Sequence, residues 1–272
     1  MPTAWNCLFL PLADAASVIT AAQDSLTQLG YTLYNPFGLM PGKSYARTVR
    51  LFVAPSRAGW VKIIGEFDER QLSQISQIAP CLYATLQGKV SNIRIFHDKH
   101  PAEPEIVFET HLKTGFSAAH IQDAMQEKYP KIIPNDLPES GLPFDALPDN
   151  VKAMADKVNP GQAQKMFARL TGDVLKKVGS VGDQADAARA LVNNQDAPDW
   201  NSAGGLKIQA LINCLTIPAN WRDPDFNTLR DAYQLHARRQ RNPNARAYPG
   251  DDDVMAQVPD ALDYTPVFGG QD

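Results

Sequence analysis

The side chains best suited to chemistry in this sequence gather in one stretch, His97-Asp98-Lys99-His100 followed by Glu105, Glu109 and His111. Imidazoles and carboxylates are ligands that many divalent metals accept, so His97, His100 and His111 form a candidate metal site and suggest a metal-dependent hydrolase. Their spacing matches no common ligand pattern. The same residues read more simply as a polar hairpin running into an exposed edge strand. Glu66 and Asp68 offer a second pair of carboxylates, but Asp68 with Gln71 three residues later has the form of a capping box, which gives one of the pair a structural task.

The basic cluster is Arg238, Arg239 and Arg241, with Arg246 beyond it. Cations at the end of a helix offset its negative pole, and an acidic triplet, Asp251-Asp252-Asp253, follows closely enough to fold back on them. A nucleic-acid contact through these arginines is the weaker reading. Ten Lys and Arg stand against nine Asp and Glu up to Lys113, and sixteen against twenty-one beyond it. Neither half carries the excess positive charge that binding through counterion release demands.

Motifs for covalent nucleophiles and nucleotides are absent: there is no G-x-S-x-G, no G-x-x-x-x-G-K and no G-x-G-x-x-G. Gly179-Ser180-Val181-Gly182 follows a helical pattern rather than a strand, so it is a link and not a phosphate cradle. Cys7, Cys81 and Cys214 lie far apart in apolar surroundings, which fits reduced, buried thiols and a reducing compartment. Trp200 and Trp221 sit in polar loops and are expected to anchor them.

The strongest pattern is organisational. Two segments, about 5–54 and 60–98, each read as strand, helix, strand, strand. In the first, Trp5 to Leu10 is an apolar strand, and Val18, Ile19, Ala22, Leu26 and Leu29 recur at helical spacing until Gly30. Tyr31 to Tyr34 and Thr48 to Val53 then read as strands. In the second, Trp60 to Ile64 opens, Asp68 starts a helix carrying Leu72, Ile75 and Ile78, and Cys81 to Leu86 and Asn92 to Phe96 follow. Arg50 and Arg94 are the single arginines of matching strands. The first segment has an extra loop, Asn35 to Ser44, that is apolar for a loop.

Loops added to a rigid scaffold often carry function, so Phe37, Met40 and the adjacent Tyr45 join Arg50, Trp60 and Arg94 as the candidate binding residues. A duplicated strand-helix-strand-strand unit resembles, in topology, small-molecule-binding regulatory domains of the GyrI-like kind. That resemblance implies a ligand groove between the copies.

The expected fold is therefore α+β. A duplicated βαββ unit over 1–113, with an extra strand about 104–111, forms a largely antiparallel sheet with helices on one face. A helix and proline-rich connector over 114–148 leads to a helical domain over 149–241, and 242–272 reads as an extended or disordered tail. With 44% hydrophobic and 21% charged residues, the composition is that of a globular protein. The N-terminus lacks a basic segment and no run approaches the roughly 18 apolar residues of a spanning helix, so a cytoplasmic protein without membrane contact is expected. Sparse convergent polar residues favour a non-enzymatic binding or interaction protein with a small ligand or protein partner, no cofactor, and a homodimer through a sheet edge as one form of association.

Overall fold

The computed structural model describes residues 4–38, 44–125, 197–218, 220–244 and 248–272. They form one compact unit drawn from both ends of the chain. Its centre is an antiparallel sheet of eight strands: β1 (Trp5–Leu10), β2 (Thr32–Tyr34), β3 (Arg47–Val53), β4 (Val61–Gly65), β5 (Cys81–Gln87), β6 (Val90–His97), β7 (His100–Pro101) and β8 (Thr265–Gln271). The spatial order is β2-β8-β3-β4-β1-β5-β6-β7, so β4 and β1 are central, and the outermost strands have three and two residues. Such short edges offer little backbone for pairing with another chain.

Both faces of the sheet are covered, not one. On the first face lie α1 (Ala15–Gln28) and α2 (Glu69–Ile75), whose Val18, Ala22, Leu26, Leu72 and Ile75 meet Leu8, Leu10, Leu51, Val61 and Ile63. Asp14 caps α1, accepting from the amides of Ala16 and Ser17. Asp68 and Gln71 close the expected capping box on α2.

The second face is occupied by α3 (Pro104–Phe108), α4 (Ala118–Met125), α5 (Ala203–Cys214) and α6 (Phe226–Arg241). Their Phe108, Ile121, Ile208, Leu211, Ile212 and Leu229 pack with Trp5, Cys7, Phe9, Phe52 and Ile64. Continuous apolar runs such as Cys7 to Leu10, without alternation, are what a strand buried on both sides requires. No described helix is long and apolar enough to cross a membrane.

Four further expectations need correction. The stretch 104–111 is α3 followed by a 3-10 turn over Glu109–His111, not an edge strand, because Pro104 sits at the helix start and Phe108 is drawn into the core. The helices α5 and α6 belong to the same unit as the sheet. The rest of the helical stretch read over 149–241, up to residue 196, lies outside the described residues, as does the connector from 126 to 148.

Third, the final stretch is not loose. After α7 (Asp251–Gln257) and a 3-10 turn over Ala261–Asp263, β8 enters the sheet between β2 and β3. Its Gly269 and Gly270 lack side chains because Tyr31 and Tyr45 pack there; a Cβ on Gly270 would stand 2.2 Å from the Tyr45 ring. Fourth, the two βαββ segments follow one another in the expected element order, and their first strands pair antiparallel, Cys7 with Ile64. Their outer strands are wired differently. In the first segment the third strand, β3, lies next to the centre, and in the second it is the middle strand, β5.

Candidate functional site

The sheet opens at one end of its central strands. Gly65 is the last residue of β4 and pairs with Leu51 of β3, after which the chain leaves the sheet for α2. It has φ +147°, and a Cβ there would stand 2.5 Å from the carbonyl oxygen of Arg50, so only glycine fits this exit. With β4 gone, the first half of β3 and the start of β1 have no strand between them.

A cleft of about 670 Å³ occupies this opening. Asn6 of β1, Val49 and Arg50 of β3, Glu66 to Asp68 of the exit loop, Gln71 of α2, and Phe226, Asn227 and Arg230 of α6 line it. The two sequence segments and α6 thus all contribute. Volume and lining fall in the range of small-molecule sites.

Two of the four charged lining groups are engaged within the protein. Asp68 accepts from the Gln71 amide at 2.8 Å, and Arg230 pairs with Asp231 at 2.7 Å. Arg50 and Glu66 are exposed, and neither makes an ion pair among the described residues. Gln71 is only 2% exposed; its Oε1 accepts from the Asp68 amide at 2.8 Å, while its Nε2 has no hydrogen-bond partner. A buried donor without an acceptor is uncommon in folded proteins and marks a place to look for a missing partner. Below the cleft the Tyr83 hydroxyl accepts from the Phe67 amide at 3.3 Å, and burial pushes the Tyr83 pKa up to about 12.

A much smaller cavity, about 30 Å³, lies under Trp60, Trp221, Lys62 and Tyr264, enough for about one water. Lys62 Nζ donates to the carbonyl of Asp223 at 2.6 Å, and burial lowers its pKa. This lysine pins the 221–223 loop to β4. Beside it Trp5, Trp200 and Trp221 meet edge to face at 5.1–5.4 Å, and Trp5 Nε1 donates to the Arg222 carbonyl, so the two loop tryptophans are anchored on β1.

Of the binding residues expected from sequence, Arg50 lines the cleft, and Phe37, Tyr45, Trp60 and Arg94 do not. Phe37 packs on Phe52, Tyr233 and Phe268; Tyr45 packs on Tyr34. Trp60 is 3% exposed and donates to Thr216 Oγ1 at 3.0 Å. Arg94 is exposed on β6, opposite Tyr83. Met40 lies outside the described residues.

His97 and His100 face each other across the β6–β7 turn, whose Asp98 and Lys99 have φ 47° and 72°. His111 lies elsewhere, 5.5 Å from the Trp60 ring, and burial lowers its pKa. Among the described residues no group of three or more His, Cys, Asp or Glu is arranged to hold a metal.

The arginines of α6 are engaged by their neighbours. Arg239 pairs with Asp252 at 2.5 Å, Arg238 with Asp251 at 3.8 Å, and Arg241 donates to the Phe37 carbonyl at 2.7 Å. Two of the acidic triplet, Asp251 and Asp252, do fold back on them. Arg246 lies outside the described residues. Cys7, Cys81 and Cys214 are all buried and free.

Sequence reasoning found Arg50, the Glu66 and Asp68 carboxylates and the Asp68–Gln71 pair but missed the cleft that they line. Phe67 gave no sign of a wall, and Asn227 and Arg230 belong to a helix far along the chain. The available signal was Gly65, a glycine directly after an apolar strand and before a capping box. No family model matches this chain, and neither a curated protein nor a solved structure matches it.

Proposed function

We propose that this is a non-enzymatic binding protein whose ligand site is the cleft at the Gly65 exit. The observation that carries this reading is the cleft itself: about 670 Å³, walled by Val49, Phe67 and Phe226, with Arg50 and Glu66 making no ion pair among the described residues. Its lining holds no His, Cys, Ser, Lys or Tyr, and of its two carboxylates Asp68 serves the α2 cap, which favours binding over catalysis. Both βαββ segments supply walls, which accords with an origin by duplication in which a ligand is held between the copies and the outer strands were later rewired. Short edge strands make a homodimer through the sheet edge the weaker form of association.

The test is to screen the isotopically labelled protein by NMR against a chemically diverse library of small water-soluble compounds. Hits should shift the amides of Arg50, Gly65 to Asp68, Gln71 and Asn227 together. Hits that map consistently elsewhere, or a library with no hit at all, would remove the cleft from consideration.

A further inference from the structure

We infer that the ligand is a small zwitterion with an apolar side chain, an α-amino acid or short peptide, its carboxylate on Arg50 and its ammonium on Glu66. This rests on the cleft being the binding site. The cleft's charges decide the class. Arg230 is paired with Asp231 and Asp68 gives an oxygen to the α2 cap, so Arg50 and Glu66 are the charged lining groups that no described residue engages. A simple anion would leave Glu66 beside it uncompensated, and a simple cation would do the same to Arg50. A molecule carrying both charges satisfies both.

Geometry supports opposite poles at separate points. Arg50 and Glu66 follow the last rung of the β3–β4 ladder, Leu51 with Gly65, and would pair if the ladder continued. Gly65 turns the chain away instead, and the two side chains make no ion pair. A guanidinium left in this way offers a planar fork for a carboxylate. Further donors line the cleft: the Asn6 and Asn227 amides, and the 2% exposed Gln71, whose Nε2 lacks an acceptor. Val49, Phe67 and Phe226 supply the apolar wall. The volume exceeds what a single inorganic ion needs and suits a molecule of amino-acid or dipeptide size.

The experiment compares matched compounds on the full chain by calorimetry and NMR at neutral pH: L-phenylalanine and the dipeptide Phe-Phe, against phenethylamine and 3-phenylpropionate. A zwitterion is expected to bind at least about tenfold more tightly than either single-charge analogue. Arg50→Gln and Glu66→Gln should each weaken it about tenfold or more with unfolding midpoints unchanged, since both residues are exposed. If 3-phenylpropionate or phenethylamine binds the cleft as tightly as its zwitterion, the ligand class is wrong while the binding site stands. If none of the four binds up to about 10 mM while library compounds shift cleft amides, the zwitterion is again overturned alone. Hits mapping away from the cleft overturn both.

Discussion

Arg50 and Glu66 stand one step past the last rung between β3 and β4, with opposite charges and no ion pair between them. What separates them is Gly65, whose backbone no other residue adopts without strain. The cleft therefore depends on a single missing Cβ.

Gly65→Ala is accordingly expected to cost about 1–3 kcal/mol, from a disfavoured φ and contact with the Arg50 carbonyl. Denaturant unfolding measures it. A loss below about 0.5 kcal/mol would mean that the exit from β4 is not held as described.

Removal of Thr265–Gln271 is expected to abolish cooperative unfolding. Without β8, both β2 and the full length of β3 lose a hydrogen-bonded neighbour, and buried Val267 and Phe268 leave the core. Near-ultraviolet circular dichroism and thermal denaturation are the readouts; a shortened chain melting as sharply as the full one would contradict this placement.

Stability should fall as pH rises from about 9 toward 12. Burial raises the pKa of Cys7, Cys81, Tyr83 and Tyr264 to about 12, so each stays protonated in the folded protein where the unfolded chain would ionise. Stability from these groups is complete below their unfolded values and is lost as pH climbs through the folded ones. Lys62, with its lowered pKa, acts in the opposite sense as a single group. Urea unfolding at stepped pH checks the sign, and Cys7→Ala should flatten the slope.

The Arg239–Asp252 pair joins α6 to α7 at an exposed position. A double-mutant cycle with alanine at both sites should return a coupling of about 0.2–1 kcal/mol that shrinks at high salt. A larger coupling that ignores salt would show that the pair is more enclosed than its surroundings indicate.

The strands β1, β3, β4, β5 and β6 and the helices α1 and α2 were legible because each carries its own local signal. An apolar run, a helical stripe or a capping box needs no distant partner to be read. What escaped depends on such partners. Pro266, Gly269 and Gly270 dilute the strand pattern of β8, and the reason for the two glycines is the tyrosine packing supplied by residues 31 and 45.

The second layer of helices was implied by the unalternating run Cys7 to Leu10, whose two-sided burial leaves no solvated face. At the cleft, Arg50 drew attention as a lone charge in an apolar strand. Asn227 and Arg230 could not be joined to it, because nothing local in α6 says that its first turn ends beside β3.

The insertion of β8 between β2 and β3 has a bearing on synthesis. Ribosomes deliver β3 long before the strand that pairs Val53 with Thr265. Until it arrives, Arg47 to Val53 present an unfilled backbone edge in a nascent chain, and closing so distant a contact is slow. That seam is where the newborn chain is most open to pairing with another strand, so depleting chaperones during synthesis is expected to raise aggregation of the nascent chain more than that of the finished fold.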